Sequence, residues 1–312
     1  MGKVAFIFPG QGSQYVGMAY EIYRNIQKSR EVFHRASEVL QFDICDLIFK
    51  DEKNILDKTE YTQPAILTVT IALLRALEGY SIVPETVAGL SLGEYSALVC
   101  SQVLDFETAV ALVKKRGRFM EEAVTGKEGA MAALLGGTIK DIDEICSKSR
   151  HKGFIEVANY NCPGQIVVGG DLEAIQCAVE IANNEYKVRA KRLNVSGPFH
   201  TLLLKEASIR LEEELKTVKL STQKVPIVTN VTGAFIKDED IKSTLVKQVM
   251  SPVKWEQSVN TMINSGVDTF LEVGPGRTLS SFVKKINREA LVLNIEDMKS
   301  LEKTLQVLNK KL

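Results

Sequence analysis

Long hydrophobic runs are missing from this sequence. Nowhere do about eighteen apolar residues follow one another, which excludes a transmembrane helix. The opening stretch Met1-Gly2-Lys3-Val4-Ala5-Phe6-Ile7-Phe8-Pro9-Gly10 has too short an apolar part, and no small-residue cleavage site, to read as a signal peptide. No charge of one sign dominates either. Lys plus Arg and Asp plus Glu number 39 each, so neither a nucleic acid nor a membrane surface is an expected partner. Cysteine is sparse: Cys45, Cys100, Cys146, Cys162 and Cys177 are an odd set at wide spacings, matching neither a disulfide framework nor zinc-ligand pairs. These absences lead us to expect a cytoplasmic protein with reduced thiols and no bound metal. Internal repeats, low-complexity tracts and flexible linkers are also lacking.

What is present is an ordinary globular composition over 312 residues, 45% hydrophobic and 25% charged, enough for a large domain and a smaller one. Strand-like and helix-like patterns alternate, which defines an α/β class. Within that alternation, Gly89-Leu90-Ser91-Leu92-Gly93 stands where the apolar strand Thr86–Gly89 gives way to a helical pattern. Gly-x-Ser-x-Gly at a strand-to-helix turn is a nucleophile elbow: the glycines leave room for the sharp turn, and the serine hydroxyl is pushed out of the sheet edge. The backbone there also opens a helix, where free N–H groups and the helix dipole can stabilise an oxyanion. Taken alone, the five residues are equally compatible with a plain glycine-flanked turn.

The strand Lys3–Phe8 precedes a glycine-rich loop, Pro9-Gly10-Gln11-Gly12-Ser13-Gln14, and a helical run expected from near Val16. The loop lacks the Lys-Ser/Thr ending of a P-loop and the spacing of a dinucleotide fingerprint. Gln11, flanked by glycines, is placed to lend its backbone N–H to an oxyanion; a simple tight turn is the other reading. Helical periodicity covers 22–40, 63–77 and 105–124, the last with Lys114, Lys115, Arg116 and Arg118, a pattern that also suits a solvated face. Of the three histidines, His34 lies in an amphipathic helix and His151 in a polar loop. His200 follows a Gly197-Pro198-Phe199 turn and is the candidate general base.

From residue 129 the pattern becomes β-α-β-β-α-β: strands at 129–135, 154–160, 165–169 and 187–195, helices at 139–148 and 172–184. This is a ferredoxin-like unit. The expected organisation is a core of residues 1–127 and 199–312 with an inserted subdomain at 128–198, and a cleft between them is the place for a ligand. Helices are expected at 202–218, 242–250, 258–265, 279–287 and 301–312, and strands at 225–230 and 269–273. Gly274-Pro275-Gly276 lines the site's rim or closes a strand–helix corner. Cys162 reads as a small buried side chain.

Together these motifs resemble the malonyl-CoA:acyl carrier protein transacylase family over nearly the whole chain. The resemblance is carried by Gly10-Gln11-Gly12-Ser13-Gln14, Gly89-Leu90-Ser91-Leu92-Gly93-Glu94-Tyr95-Ser96-Ala97-Leu98, Arg116-Gly117-Arg118-Phe119-Met120, Asn159-Tyr160-Asn161-Cys162-Pro163-Gly164-Gln165, Phe199-His200 and Glu272-Val273-Gly274-Pro275-Gly276. It implies an α/β-hydrolase-like core with a ferredoxin-like insert. It also implies transfer of malonyl from coenzyme A to the phosphopantetheine thiol of acyl carrier protein, serving fatty-acid synthesis without a bound cofactor. A monomer is the default expectation, since the sequence is silent on oligomeric state. Ser91 would be the nucleophile, His200 its base, and the amides of Gln11 and Leu92 the oxyanion donors. Arg116 would pair with the malonyl carboxylate, Asn159 and Asn161 would line the cleft, and the backbone carbonyl of Gln248 would orient the histidine. For the two asparagines an ordinary turn-forming role is the other reading.

Two departures bear on acyl selectivity. Many relatives carry a histidine where this chain has Leu90, and smaller residues where it has Pro198 and Phe199; Phe199 itself resembles the malonyl-preferring form, since its bulk crowds an α-branched acyl group. A stand-alone acyltransferase of a polyketide synthase shares the same motifs. A carrier-protein thioester hydrolase would have no use for Arg116, and an inactive carrier-binding module none for the Ser91 and His200 pair. Lys191 and Arg192 could meet an acidic carrier protein or simply face solvent.

Overall fold

A computed structural model describes residues 2–309 apart from Ser81, Lys127 and Ser196. The run Val4-Ala5-Phe6-Ile7-Phe8 is apolar at successive positions and buried throughout, as a strand covered on both faces must be. It forms β1 (Lys3–Phe8). Along the chain follow β2 (Thr86–Gly89), β3 (Gly129–Leu135), β4 (Ile155–Cys162), β5 (Gln165–Asp171) and β6 (Arg189–Arg192). The last strands are β7 (Ile227–Val228), β8 (Val253–Lys254), β9 (Val267–Val273) and β10 (Leu291–Ile295).

β1 sits at the centre of a parallel sheet in the order β10-β9-β1-β2-β7. Helices cover both faces, and the core is built from side chains such as Phe6, Phe8, Ile66, Tyr95 and Leu271 on one side and Ile7, Trp255 and Phe270 on the other. This is the expected α/β-hydrolase-like core. The second sheet runs β6-β3-β5-β4-β8 and is antiparallel except for β4 with β8. Its first four strands, with the helices Ile139–Ser149 and Leu172–Glu185, have the βαββαβ order of a ferredoxin-like unit. The fifth strand belongs to a distant part of the chain: Val253 and Lys254 pair with Asn159 and Tyr160.

Local chemistry explains the helix starts. Asp105 caps the helix Phe106–Val124 through the Thr108 N–H at 2.7 Å, and Thr138 forms a capping box with Asp141. Several sequence expectations need correction. No helix begins near Val16; the first starts at Tyr20, and Ile26 in an extended conformation divides the expected 22–40 helix into Tyr20–Asn25 and Gln27–Leu40. The expected strand 225–230 is only Ile227–Val228, because Asn230 turns into the site. Helix Ile44–Phe49 and strands β8 and β10 were not anticipated. The final helix begins at Met298, and the last three residues of the expected 301–312 span lie outside the described residues.

Candidate active site

The elbow geometry follows from three glycines. A β-carbon on Gly89 would lie 1.9 Å from the Gly93 carbonyl carbon, and one on Gly93 would lie 2.1 Å from the Phe8 carbonyl oxygen. One on Gly10 would meet the Leu90 carbonyl oxygen at 2.4 Å, so the glycine-rich loop and the elbow can touch only as backbone. Ser91 itself has φ 53°, the left-handed conformation expected of an elbow nucleophile. Asn230 clamps the turn: its Oδ1 accepts from the Ser91 N–H at 2.5 Å, and its Nδ2 donates to the Gly89 carbonyl at 2.6 Å.

His200 is brought to the serine by a second strained turn, with φ 61°, held where the Thr201 hydroxyl donates to the Pro198 carbonyl at 2.6 Å. Its Nε2 lies 2.7 Å from Ser91 Oγ and its Nδ1 lies 2.9 Å from the Gln248 carbonyl oxygen. With Nδ1 donating to that carbonyl, Nε2 is free to accept the serine proton. Burial pushes the imidazole down to about 4, and the Arg116 charge acts in the same direction; backbone hydrogen bonds to Gln248 and Ser251 oppose them. A neutral ring is therefore available as a base at physiological pH.

Arg116 is drawn in by the close crossing of two helices. A β-carbon on Gly117 would lie 2.5 Å from the Thr59 carbonyl, so Phe106–Val124 can pack directly on Thr59–Ala76 and bring Gln63 to the guanidinium. Nη1 donates to Gln63 Oε1 at 2.8 Å, while Nη2 reaches Gln248 Oε1 at 3.0 Å and Ser91 Oγ at 3.2 Å. The guanidinium lies over the Tyr95 ring, 5.5 Å from its centroid. Arg116 is 1% exposed and sits behind the serine rather than along the cleft wall.

The cleft offers roughly 200 Å³ of room. Ser91, His200, Gln11, Leu90, Phe199, Asn159 and Asn161 all border it, with Met120 and Met131 adding apolar wall. Asn161 Oδ1 is buried and has no hydrogen-bond partner among the described residues, a carbonyl left for a ligand donor. The backbone N–H groups of Gln11 and Leu92 likewise have no protein acceptor among the described residues. The Gln11 side chain turns away to Thr59 Oγ1 at 3.1 Å. Leu279 and Phe282 close the far side; their helix, Thr278–Ile286, is fixed by buried Glu272, which accepts from the N–H groups of Leu279 and Ser280.

Other candidates fall elsewhere. His34 lies in the helix Gln27–Leu40, and His151 is exposed with Nδ1 against the Lys148 carbonyl. Cys162 is buried and does not border the cleft, and all five thiols are free. Gly274-Pro275-Gly276 closes the corner between β9 and the helix Thr278–Ile286. Lys191 and Arg192 are exposed on β6. Three contacts of the site residues were not picked out from the sequence: Asn230, Gln63 and Glu94. The signals were a polar residue at the carboxyl end of a core strand, a Gln-Pro pair inside a helix, and one charge in an otherwise apolar elbow helix. Among the described residues no helix is long and apolar enough to cross a membrane.

A serine on an elbow, bonded to a neutral histidine that a backbone carbonyl orients, on an α/β-hydrolase-like core with a ferredoxin-like insert, defines a serine acyltransferase. The acyl transferase domain family matches residues 5–305, and the chain belongs to that family. The malonyl CoA-acyl carrier protein transacylase of Bacillus subtilis is 42% identical over 310 residues, covering 99% of this chain and 98% of the relative. The crystal structure of the transacylase of that name from Clostridium perfringens superposes with a TM-score of 0.96 at 48% identity, covering 99% and 98% of the two chains. A malonyl-transacylase in complex with a type II polyketide-synthase acyl carrier protein matches with a TM-score of 0.94 at 36% identity, covering 97% and 99%.

Proposed function

We propose that this acyltransferase moves a malonyl group from coenzyme A to the phosphopantetheine thiol of acyl carrier protein, through an ester on Ser91, for fatty-acid synthesis. The observation that carries this reading is the position of Ser91 Oγ, between His200 Nε2 at 2.7 Å and Arg116 Nη2 at 3.2 Å. One neighbour takes the proton of attack, and the other offers a cation to the far end of a short acyl chain.

In the first half-reaction His200 Nε2 accepts the hydroxyl proton as Oγ adds to the thioester carbonyl. The N–H groups of Gln11 and Leu92 receive the oxyanion, each worth roughly 3 to 4 kcal/mol of transition-state stabilisation. The C–S bond then breaks, and the proton on His200 passes to the departing coenzyme A sulfur. In the second half-reaction the carrier thiol gives its proton to His200, attacks the seryl ester, and Oγ leaves with that proton. The Gln248 carbonyl keeps the ring oriented throughout.

Arg116 exchanges its hydrogen bond to Ser91 Oγ for a bidentate pair with the malonyl carboxylate. Asn159, Asn161 and Phe199 border the acyl end, and Phe199 disfavours α-branching. Residues 128–198 act as the inserted subdomain that closes the cleft over the core. The five free thiols support a cytoplasmic setting.

Labelled malonyl-CoA without acceptor should load Ser91, and label retained in Ser91→Ala would refute the nucleophile. The similarity to a transacylase solved with a polyketide carrier protein supports a second acceptor class. Competition between fatty-acid and polyketide carrier proteins for the loaded enzyme separates the two. Loss of the acyl group to water as fast as to carrier would indicate a hydrolase.

A further inference from the structure

Beneath Ser91 lies a carboxylate that has no role in the chemistry above. Glu94, on the elbow helix Gly93–Cys100, is 1% exposed, and its Oε2 accepts from the Asn230 N–H at 2.8 Å. Asn230 in turn holds the Ser91 N–H and the Gly89 carbonyl, so Glu94 is one residue removed from the nucleophile's backbone. The Ser91 carbonyl accepts from the Glu94 N–H at 3.1 Å and from Gln248 Nε2 at 3.0 Å, and Gln248 Oε1 accepts from Arg116 Nη2 at 3.0 Å, so the Gln248 side chain spans from the elbow backbone that carries Glu94 to the guanidinium. Burial disfavours the ionised carboxylate, and the Asn230 N–H, the Gln248 side chain and the Arg116 charge oppose it.

Arg116 is a fully buried cation whose hydrogen-bond partners, Gln63, Gln248 and Ser91, are all neutral. It joins none of the ion pairs found among the described residues. Burial pulls its pKa down, and the acidic groups that hold it up are Tyr95 and Glu94. Around this pair Gln63, Asn230 and Gln248 are uncharged, Tyr95 is neutral with its hydroxyl pushed up to about 12, and His200, pushed down to about 4, is neutral at physiological pH. Among the described residues Glu94 is thus the one buried carboxylate acting on Arg116.

We propose that Glu94 is the internal counter-charge of Arg116, and so sets how strongly the acyl pocket prefers a carboxylated acyl group over a neutral one. This rests on reading Arg116 as the partner of the acyl carboxylate. A buried cation left uncompensated is costly, so with no acyl group bound an ionised Glu94 supports Arg116. An incoming carboxylate then competes with Glu94 for the same positive field. Protonation of Glu94 removes that competition, and carboxylate binding favours the protonated form in return. Burial pushes Glu94 up to about 7, so both forms are populated near neutrality.

The test is Glu94→Gln, which keeps an oxygen for the Asn230 N–H but removes the charge. Malonyl-CoA and acetyl-CoA kinetics are compared in wild type, Glu94→Gln and Arg116→Gln from about pH 6 to about pH 9. In wild type the malonyl KM should rise as pH passes through about 7. In Glu94→Gln it should be lower and flat, raising the malonyl-to-acetyl kcat/KM ratio at high pH about tenfold, the equivalent of one pKa unit. Equal effects on both thioesters, with the wild-type pH slope intact, would show a merely structural role and overturn the proposal. Retained malonyl preference in Arg116→Gln would overturn the reading of Arg116 itself. Lost preference there, alongside a Glu94→Gln variant indistinguishable from wild type, overturns the counter-charge alone.

If Glu94→Gln does not fold, wild-type proton uptake decides. Acylation of Ser91 with release of the coenzyme A thiol is proton-neutral near pH about 7. Greater uptake with malonyl-CoA than with acetyl-CoA supports the proposal, and equal uptake refutes it.

Discussion

The serine depends on a side chain that performs no proton transfer. Asn230→Ala would leave the Ser91 N–H and the Gly89 carbonyl without partners, each costing about 1 to 3 kcal/mol. The expected outcome is a lower urea midpoint together with a kcat for acyl-enzyme formation that falls more than KM rises. His200 sets the acid limit of that step. Because burial holds the ring near about 4, the single-turnover acylation rate should persist below the ordinary histidine value of 6.5 and decline only towards about 4. Stability follows the same window: below 6.5 the unfolded chain binds a proton that folded His200 refuses until about 4, so falling pH destabilises the protein there. Arg116→Ala removes the guanidinium from Gln63, Gln248 and Ser91 at once, and malonyl over acetyl selectivity in competition assays should drop at least about tenfold.

Two elements, the elbow and the helix behind the cleft, carry the site's shape. Gly93→Ala would place a methyl group 2.1 Å from the Phe8 carbonyl oxygen, a backbone atom that cannot swing aside. A loss of about 3 kcal/mol in denaturant unfolding, with little acylation, is expected. At the helix Thr278–Ile286, burial pushes the Glu272 carboxyl up to about 7 from an ordinary 4.5. The folded state therefore holds a proton more tightly, and the stability this confers is present below 4.5 and lost as pH rises through about 7. The melting temperature of Glu272→Gln relative to wild type should therefore rise as pH goes from 4.5 to about 7 and level off above it, the His200 contribution being common to both proteins. The elbow was legible because its demands are local: Gly89 and Gly93 stand four residues apart and exclude every side chain between crossing backbones. Asn230 was not, since its partners Gly89 and Ser91 lie far away in the chain and no periodicity joins them. Strand β8 is two residues long, too short to show alternation, and Gln248 could be named only through family resemblance.

At the scale of the whole molecule, the second sheet is stitched to the chain segment that follows Gln248 beside the cleft. The backbone pairing of β4 with β8 ties Asn159, which borders the cleft, to the chain that leaves Gln248, the acceptor of the His200 Nδ1 hydrogen bond. Glu156 adds a second tie by accepting from the Leu202 N–H at 2.6 Å, two residues beyond His200. Glu156→Ala should therefore lower kcat modestly while leaving the core's unfolding transition in place, measured by steady-state transfer and by melting.

That stitched sheet bears on how new acyl preferences can be made by exchanging parts between relatives. A graft of residues 128–198 alone would set a foreign β4 against the resident β8 and ask a mismatched pair to keep the register of Asn159 with Val253. Such hybrids should express poorly, or load acyl groups slowly, relative to hybrids that carry residues 249–255 across as well. The transferable piece is discontinuous in sequence, and its smaller half lies next to the residue that orients the histidine.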